Sequence, residues 1–191
     1  MKPVVPSITV FKDVQQAQLA LGYRTFGVKD PRRYALTVMD AIMGRGMSSR
    51  LFLAVRERHA LSYDISSRVQ FFRDYGMWTV AAGMDAQKRF KALEVIDREL
   101  ERIRTVKVGE RELGRIKEFL TGNFKLSHEK LTSKMFFFGS TMLAFGGLIT
   151  PEEQIAGVKA VTAQDVLDVA REVLDGANRA VSWVLPNGTK A

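Results

Sequence analysis

Residues 63–84 alternate apolar and polar side chains on both sides of one turn signal, and this pattern constrains the fold more than any other stretch of the chain. Tyr63, Ile65, Val69 and Phe71 alternate with Asp64, Ser66, Arg68 and Gln70. An Arg-Asp turn at 73–74 leads into a second strand over Tyr75 to Met84. A period of two puts successive side chains on opposite faces, so the segment reads as an antiparallel hairpin with one face toward a core. Ala17, Leu19, Leu21 and Tyr23 repeat the pattern as a half-buried strand, preceded by a short one around Ile8 to Phe11; "RAVSWVLP" closes the chain as a last strand.

Between these strands the period lengthens to that of a helix. Asp30-Pro31 supplies an N-cap and a first-turn proline for a helix to about Met43, with Ala35, Val38, Met39 and Ile42 on one face. "GRG" at 44–46 interrupts it, and Leu51, Phe52 and Val55 mark a second helix to about Arg58. After the hairpin, Phe90, Leu93, Ile96, Leu100 and Ile103 keep a helical period, as do Leu113, Ile116, Leu120 and Phe124. Thr150-Pro151-Glu152-Glu153 is a capping box with a first-turn proline, and Thr162 with Asp165 caps a further helix ending at Gly176. The order predicts an α+β fold, an antiparallel sheet with helices layered on one face. With 191 residues, the chain accommodates an N-terminal extension or first strand over 1–14 and one domain over 15–191, large enough to need neither disulfide nor structural metal.

Several classes of function are disfavoured. There is no cysteine, hence no thiol nucleophile or Cys-based zinc site, and the redox compartment is left open. The N-terminus lacks the apolar region of a signal peptide, and the compartment is otherwise unspecified. The longest uncharged run, "MFFFGSTMLAFGGLI" at 135–149, is shorter than the roughly 20 residues of a membrane span, and a buried helix is expected there. Met47, Met77, Met84, Phe136 to Phe138, Phe145, Trp78 and Trp183 are read as core. A net charge of +8 is spread over short clusters such as "DPRR" (30–33), "RERH" (56–59) and "QKRFK" (87–91), which read as solvated faces, so no nucleic-acid partner is expected. His59 and His128 stand in neither a His-x-x-Glu-His nor a His-Glu-x-x-His pattern, since Leu131 and Thr132 occupy the positions where "HEK" would need a second ligand. No metal site and no catalytic residue is therefore assigned to this chain.

One combination is specific. "GRGMSSRLFLAVRERHALSY", the hairpin strand "GMWTVAAGMD", and the downstream "TPEEQI" and "VTAQDV" helix starts resemble the C-terminal, zinc-free domain of the inverzincin peptidases, the family of pitrilysin, insulin-degrading enzyme and the mitochondrial processing peptidase. The resemblance covers roughly residues 15 to 186. It implies a non-catalytic domain that encloses and positions a peptide substrate opposite a homologous zinc-binding domain, which lies in the same parent chain or in a separate subunit. The alternative it leaves open is a structural or assembly subunit of the same fold. It also implies that Arg56 and Tyr63 bind substrate and that zinc belongs to the partner domain, so this chain alone is inactive. Ala60 and Ser62 depart from the family, which usually has a glycine and a small residue there. Without the resemblance, Tyr63 shares parity with Ile65 and reads as a packed strand tyrosine, and Arg56 as a solvated arginine.

Overall fold

The computed structural model describes residues 7–189; positions 1–6 of the expected N-terminal extension lie outside the described residues, as do 190 and 191. The strands are β1 Ile8–Lys12, β2 Ala17–Phe26, β3 Ser62–Phe71, β4 Tyr75–Met84 and β5 Arg179–Pro186. They form one sheet in the order β1-β5-β2-β4-β3. All neighbours are antiparallel except β1 and β5, which run parallel at the edge. A parallel pair requires a long crossover, and nearly the whole chain separates these two strands.

The helices are α1 Arg33–Gly44, α2 Arg89–Thr105, α3 Glu110–Ser127, α4 Leu131–Phe145, α5 Pro151–Ala160 and α6 Ala163–Val173. α1 lies on β3 and α6 on β2, with α2, α3 and α5 packed around them. Alternation decides which sheet face they cover. Leu19, Leu21 and Tyr23 of β2, Trp78, Val80 and Met84 of β4, and Trp183 and Leu185 of β5 are buried beneath the helices. Gln18, Ala20, Arg24, Ser66, Arg68 and Ala81 point the other way and are exposed. Both capping boxes form: Thr150 and Thr162 each accept the N–H of the residue three positions on, Glu153 and Asp165, whose carboxylates accept in return. α1 starts later than expected. The Asp30 carboxylate accepts the N–H of Arg32 at 2.9 Å and its carbonyl that of Arg33 at 3.1 Å, so one turn precedes the helix.

A buried carboxylate ties the layers together. Asp40, on α1, has no exposed surface. Its Oδ1 accepts from Ser67 Oγ at 2.7 Å and Trp78 Nε1 at 2.9 Å, and its Oδ2 from Arg45 Nε at 2.7 Å. One side chain thus joins α1 to β3 and β4. The approach needs Gly44, because a Cβ there would meet Ser67 N at 2.2 Å.

Three expectations are refined or corrected. The second helix ends at Arg58 as expected, and over Phe52–Arg58 it takes the wider π form. Phe90 is exposed and packs against the Arg89 guanidinium, while Ala92, Val95, Ile96, Leu100 and Ile103 form the buried stripe of α2. The third concerns the uncharged run, which is not buried. In α4 only Thr141 is buried; Leu131, Met135, Phe136 and Leu143 are exposed, as are Met47 and Met77 elsewhere. Phe137 holds α4 to the end of α3, its ring 5.4 Å from Phe124 and 4.7 Å from His128. Apolar composition shows that a helix gains from being covered, but the described residues do not supply the cover.

Candidate functional site

Local irregularities between residues 52 and 64 place Arg56 and Tyr63. The π-helix winds more widely than an α-helix, and it closes with the N–H of Ala60 on the Arg56 carbonyl (3.1 Å) and that of Leu61 on the Val55 carbonyl (2.9 Å). The first is the 5→1 bond that ends helices with a left-handed residue, and the second spans one residue more than the usual paired closure. Ala60 takes that conformation with φ +49°. The His59 ring braces the turn, its Nδ1 donating to the Ala54 carbonyl at 2.7 Å. Leu61 is buried, and the chain enters β3 at Ser62.

A β-bulge follows at once. Ser62 pairs with Met84 and Asp64 with Gly83, so Tyr63 is the extra residue. The inward parity that the alternation assigns to Tyr63 is cancelled. Ile65 and Ser67 face the helices, while Tyr63 is 61% exposed. Arg56 is exposed as well, with its guanidinium 5.0 Å from the centroid of Phe52 one turn earlier. Both residues line a single cleft of about 240 Å³ at the end of the sheet where β3 begins and β4 ends. Its other walls are Ala60, Leu61, Ser62, Asp85 and Lys88.

Asp85 and Lys88 were not singled out from the sequence. Hairpin symmetry about the turn at 73–74 carries the information, because it sets the start of β3 against the end of β4 and so against 85–88. Asp85 accepts the N–H of Gln87 at 2.9 Å and starts the short 3₁₀ turn Ala86–Lys88. The cleft therefore offers a guanidinium, a phenol and an ammonium as donors to oxygen. Such a set binds and polarises carbonyls. It does not fit a zinc ion, and among the described residues no group of three or more His, Cys, Asp or Glu could hold one.

Larger cavities lie elsewhere. One of about 780 Å³ on the uncovered sheet face is lined by Arg24, Phe26, Tyr75, Met77 and Asn178 among others. Arg50 and Glu112 form a paired contact just ahead of the π-helix, with Nε–Oε1 at 3.0 Å and Nη2–Oε2 at 2.7 Å. This fork holds the segment leading to Arg56 against α3, and it keeps the Glu112 carboxyl below its ordinary pKa through hydrogen bonds from Arg50.

Known proteins share this architecture. Residues 2–120 match the family described as the peptidase M16 inactive domain. The uncharacterized zinc protease YmxG of Bacillus subtilis is 33% identical over 181 residues, covering 95% of this chain and 44% of its own length. An uncharacterized zinc protease of Streptomyces coelicolor is 32% identical over 175 residues, covering 92% of this chain and 38% of its own length. The crystal structure of a conserved protein from Enterococcus faecalis superimposes with a TM-score of 0.86 at 29% identity, over 98% of this chain and 43% of that one. The chain thus spans about two fifths of the length of the curated relatives it matches. By the match over residues 2–120, the chain belongs to the peptidase M16 inactive-domain family.

Proposed function

We propose that this chain encloses and positions peptide substrate opposite a homologous zinc-bearing domain, with Arg56 and Tyr63 as its substrate-binding residues. The observation that carries the reading is the bulge at Ser62–Asp64, which everts a tyrosine that simple alternation would bury and sets it in one cleft with Arg56. The phenol O–H and the guanidinium N–H groups donate to peptide carbonyls and to the oxyanion that develops on the scissile one. The partner is a zinc-binding domain of the same parent protein or a separate subunit. Two facts support a partner: relatives more than twice the length of this chain, and an α4 whose apolar side chains are left uncovered.

The test compares Tyr63→Phe and Arg56→Lys in the complex with that domain. Tyr63→Phe removes a donor engaged mainly in the transition state, so kcat should fall by up to about a hundredfold while KM moves little. Arg56→Lys should also impair turnover, because an ammonium lacks the planar fork. Thermal midpoints should stay near that of the parent, since both side chains are exposed. Unchanged turnover with a lowered midpoint would reduce both residues to structural roles.

A further inference from the structure

We infer that this chain by itself pairs with a second copy along α4, the two helices running antiparallel about a two-fold axis at Gly139. The inference stands apart from the peptide-binding reading. Its first support is the apolar area that α4 leaves uncovered. Of the eighteen large hydrophobic side chains that are exposed among the described residues, six fall within positions 131–148, about a tenth of the chain. Five of them stand on the helix: Leu131, Met135, Phe136, Met142 and Leu143, between 47% and 87% exposed. At roughly 150–250 Å² for a fully exposed large side chain, they present on the order of 600 Å². That is the upper limit of what monomers usually expose, and it equals one side of the smallest stable interfaces, which bury about 1,200 Å² in total.

The second support is the pattern within that area. At about 100° per residue, the five side chains and Gly139 fall in one arc about 140° wide, with the glycine near its middle. Met135 and Phe136 stand one turn before Gly139, and Met142 and Leu143 one turn after it. A two-fold axis at the glycine therefore sets Met135 against the second copy's Met142, and Phe136 against its Leu143. A surface that matches itself under such a rotation is what an isologous dimer requires. A Cβ on Gly139 would meet nothing within 4 Å, so a second backbone can come close there. The opposite face of α4 is already engaged, with Phe137 against Phe124 and His128, and the Arg33 guanidinium 4.9 Å from the Phe145 ring, which holds the stripe outward. Charge also favours a like partner. Lys134, the one charged residue of α4, falls off the arc, so the stripe carries nothing that would repel its own copy or select an acidic or basic surface. A zinc-bearing domain docked along α4 would take the second copy's place, and the test separates the two.

Sedimentation velocity of the 191-residue chain from about 1 to about 200 μM tests this. We expect a monomer–dimer equilibrium that moves toward dimer as salt is raised, because screening weakens the repulsion between two copies of net charge +8 and leaves the apolar stripe untouched. Phe136→Lys and Leu143→Glu should each leave the chain monomeric at the highest concentration while keeping the thermal midpoint of the dilute parent, since both side chains are exposed. Mixing the two variants should restore the dimer, because the new lysine then faces the new glutamate across the axis and the other pair is unaltered. A parent that stays monomeric over this range would overturn the inference, whether or not a zinc-bearing domain binds α4. So would a dimer that persists in either variant, or a mixture that fails to associate. None of these results bears on the peptide-binding reading, since neither residue lines the cleft of Arg56 and Tyr63.

Discussion

Replacing Asp40 with alanine should destabilise this fold by about 3 kcal/mol, more than its position on an otherwise apolar helix would indicate. The estimate comes from the three donors it serves. The Trp78 indole N–H, 2.9 Å away and fully buried, would be orphaned, at a cost of about 1–3 kcal/mol. The Ser67 hydroxyl would lose its 2.7 Å bond but keep the Asp40 backbone carbonyl at 3.1 Å, which survives the substitution, so its loss is smaller, about 1 kcal/mol. The Arg45 side chain is 40% exposed and can turn to water, adding at most about 1 kcal/mol. Relief from desolvating a carboxylate offsets part of this sum. Asp40→Asn retains one acceptor for Trp78 and Ser67 but sets a donor against Arg45, and should cost about half as much. Urea denaturation with an unchanged slope measures both, and for a chain of this size 3 kcal/mol corresponds to a fall in Tm of about 6–12 °C. A loss under 1 kcal/mol for Asp40→Ala, or a larger loss for the asparagine variant, would refute the reasoning.

Other outcomes follow from single contacts. Because Arg50 lowers the Glu112 pKa, that pair contributes stability above the ordinary carboxylate range, and the contribution is lost as pH falls through the lowered value. Arg50→Met should therefore cost about 1 kcal/mol in urea denaturation at pH 7 and almost nothing in acid; a cost independent of pH would mean that only packing was removed. Gly44→Ala drives a Cβ to 2.2 Å from the backbone of Ser67 and should cost about 2–3 kcal/mol, whereas Gly122→Ala, in α3 with nothing within 4 Å, should gain up to about 1 kcal/mol. Thermal midpoints moving in opposite directions would check both.

What could be read from the residues was what local chemistry decides. The hairpin, β5, both capping boxes and the buried tryptophans follow from alternation, caps and turn residues, each settled within a few positions. The exposure of Tyr63 was not legible, because a bulge changes parity without changing composition. Lys88 stayed hidden inside a cluster that reads as a solvated face; only the pairing of β3 with β4 brings it beside Arg56. α4 misled in another way. Its side chains state a need for cover, and hydropathy is the same whether the cover comes from this chain or from another. Asp40 went unnoticed although an acidic residue among Val38, Met39, Ala41 and Ile42 signals a buried partner.

The bulge also governs which genetic changes this region can absorb. From Ile65 onward β3 answers to the helices packed on it, whereas Tyr63 answers to whatever meets the cleft, so substitutions in the two stretches can accumulate independently. Changes in length are another matter. Loss of codon 64 would heal the ladder, keep Ser62 and Ile65 inward, and move the phenol to the place opposite Gly83, about 3.3 Å along the strand and away from the Asp85 corner. An added codon in the turn at 73–74 would leave that corner where it is. The stretch between Ala60 and Asp64 is therefore rigid in count, and insertions among homologous sequences should collect at the far end of the hairpin.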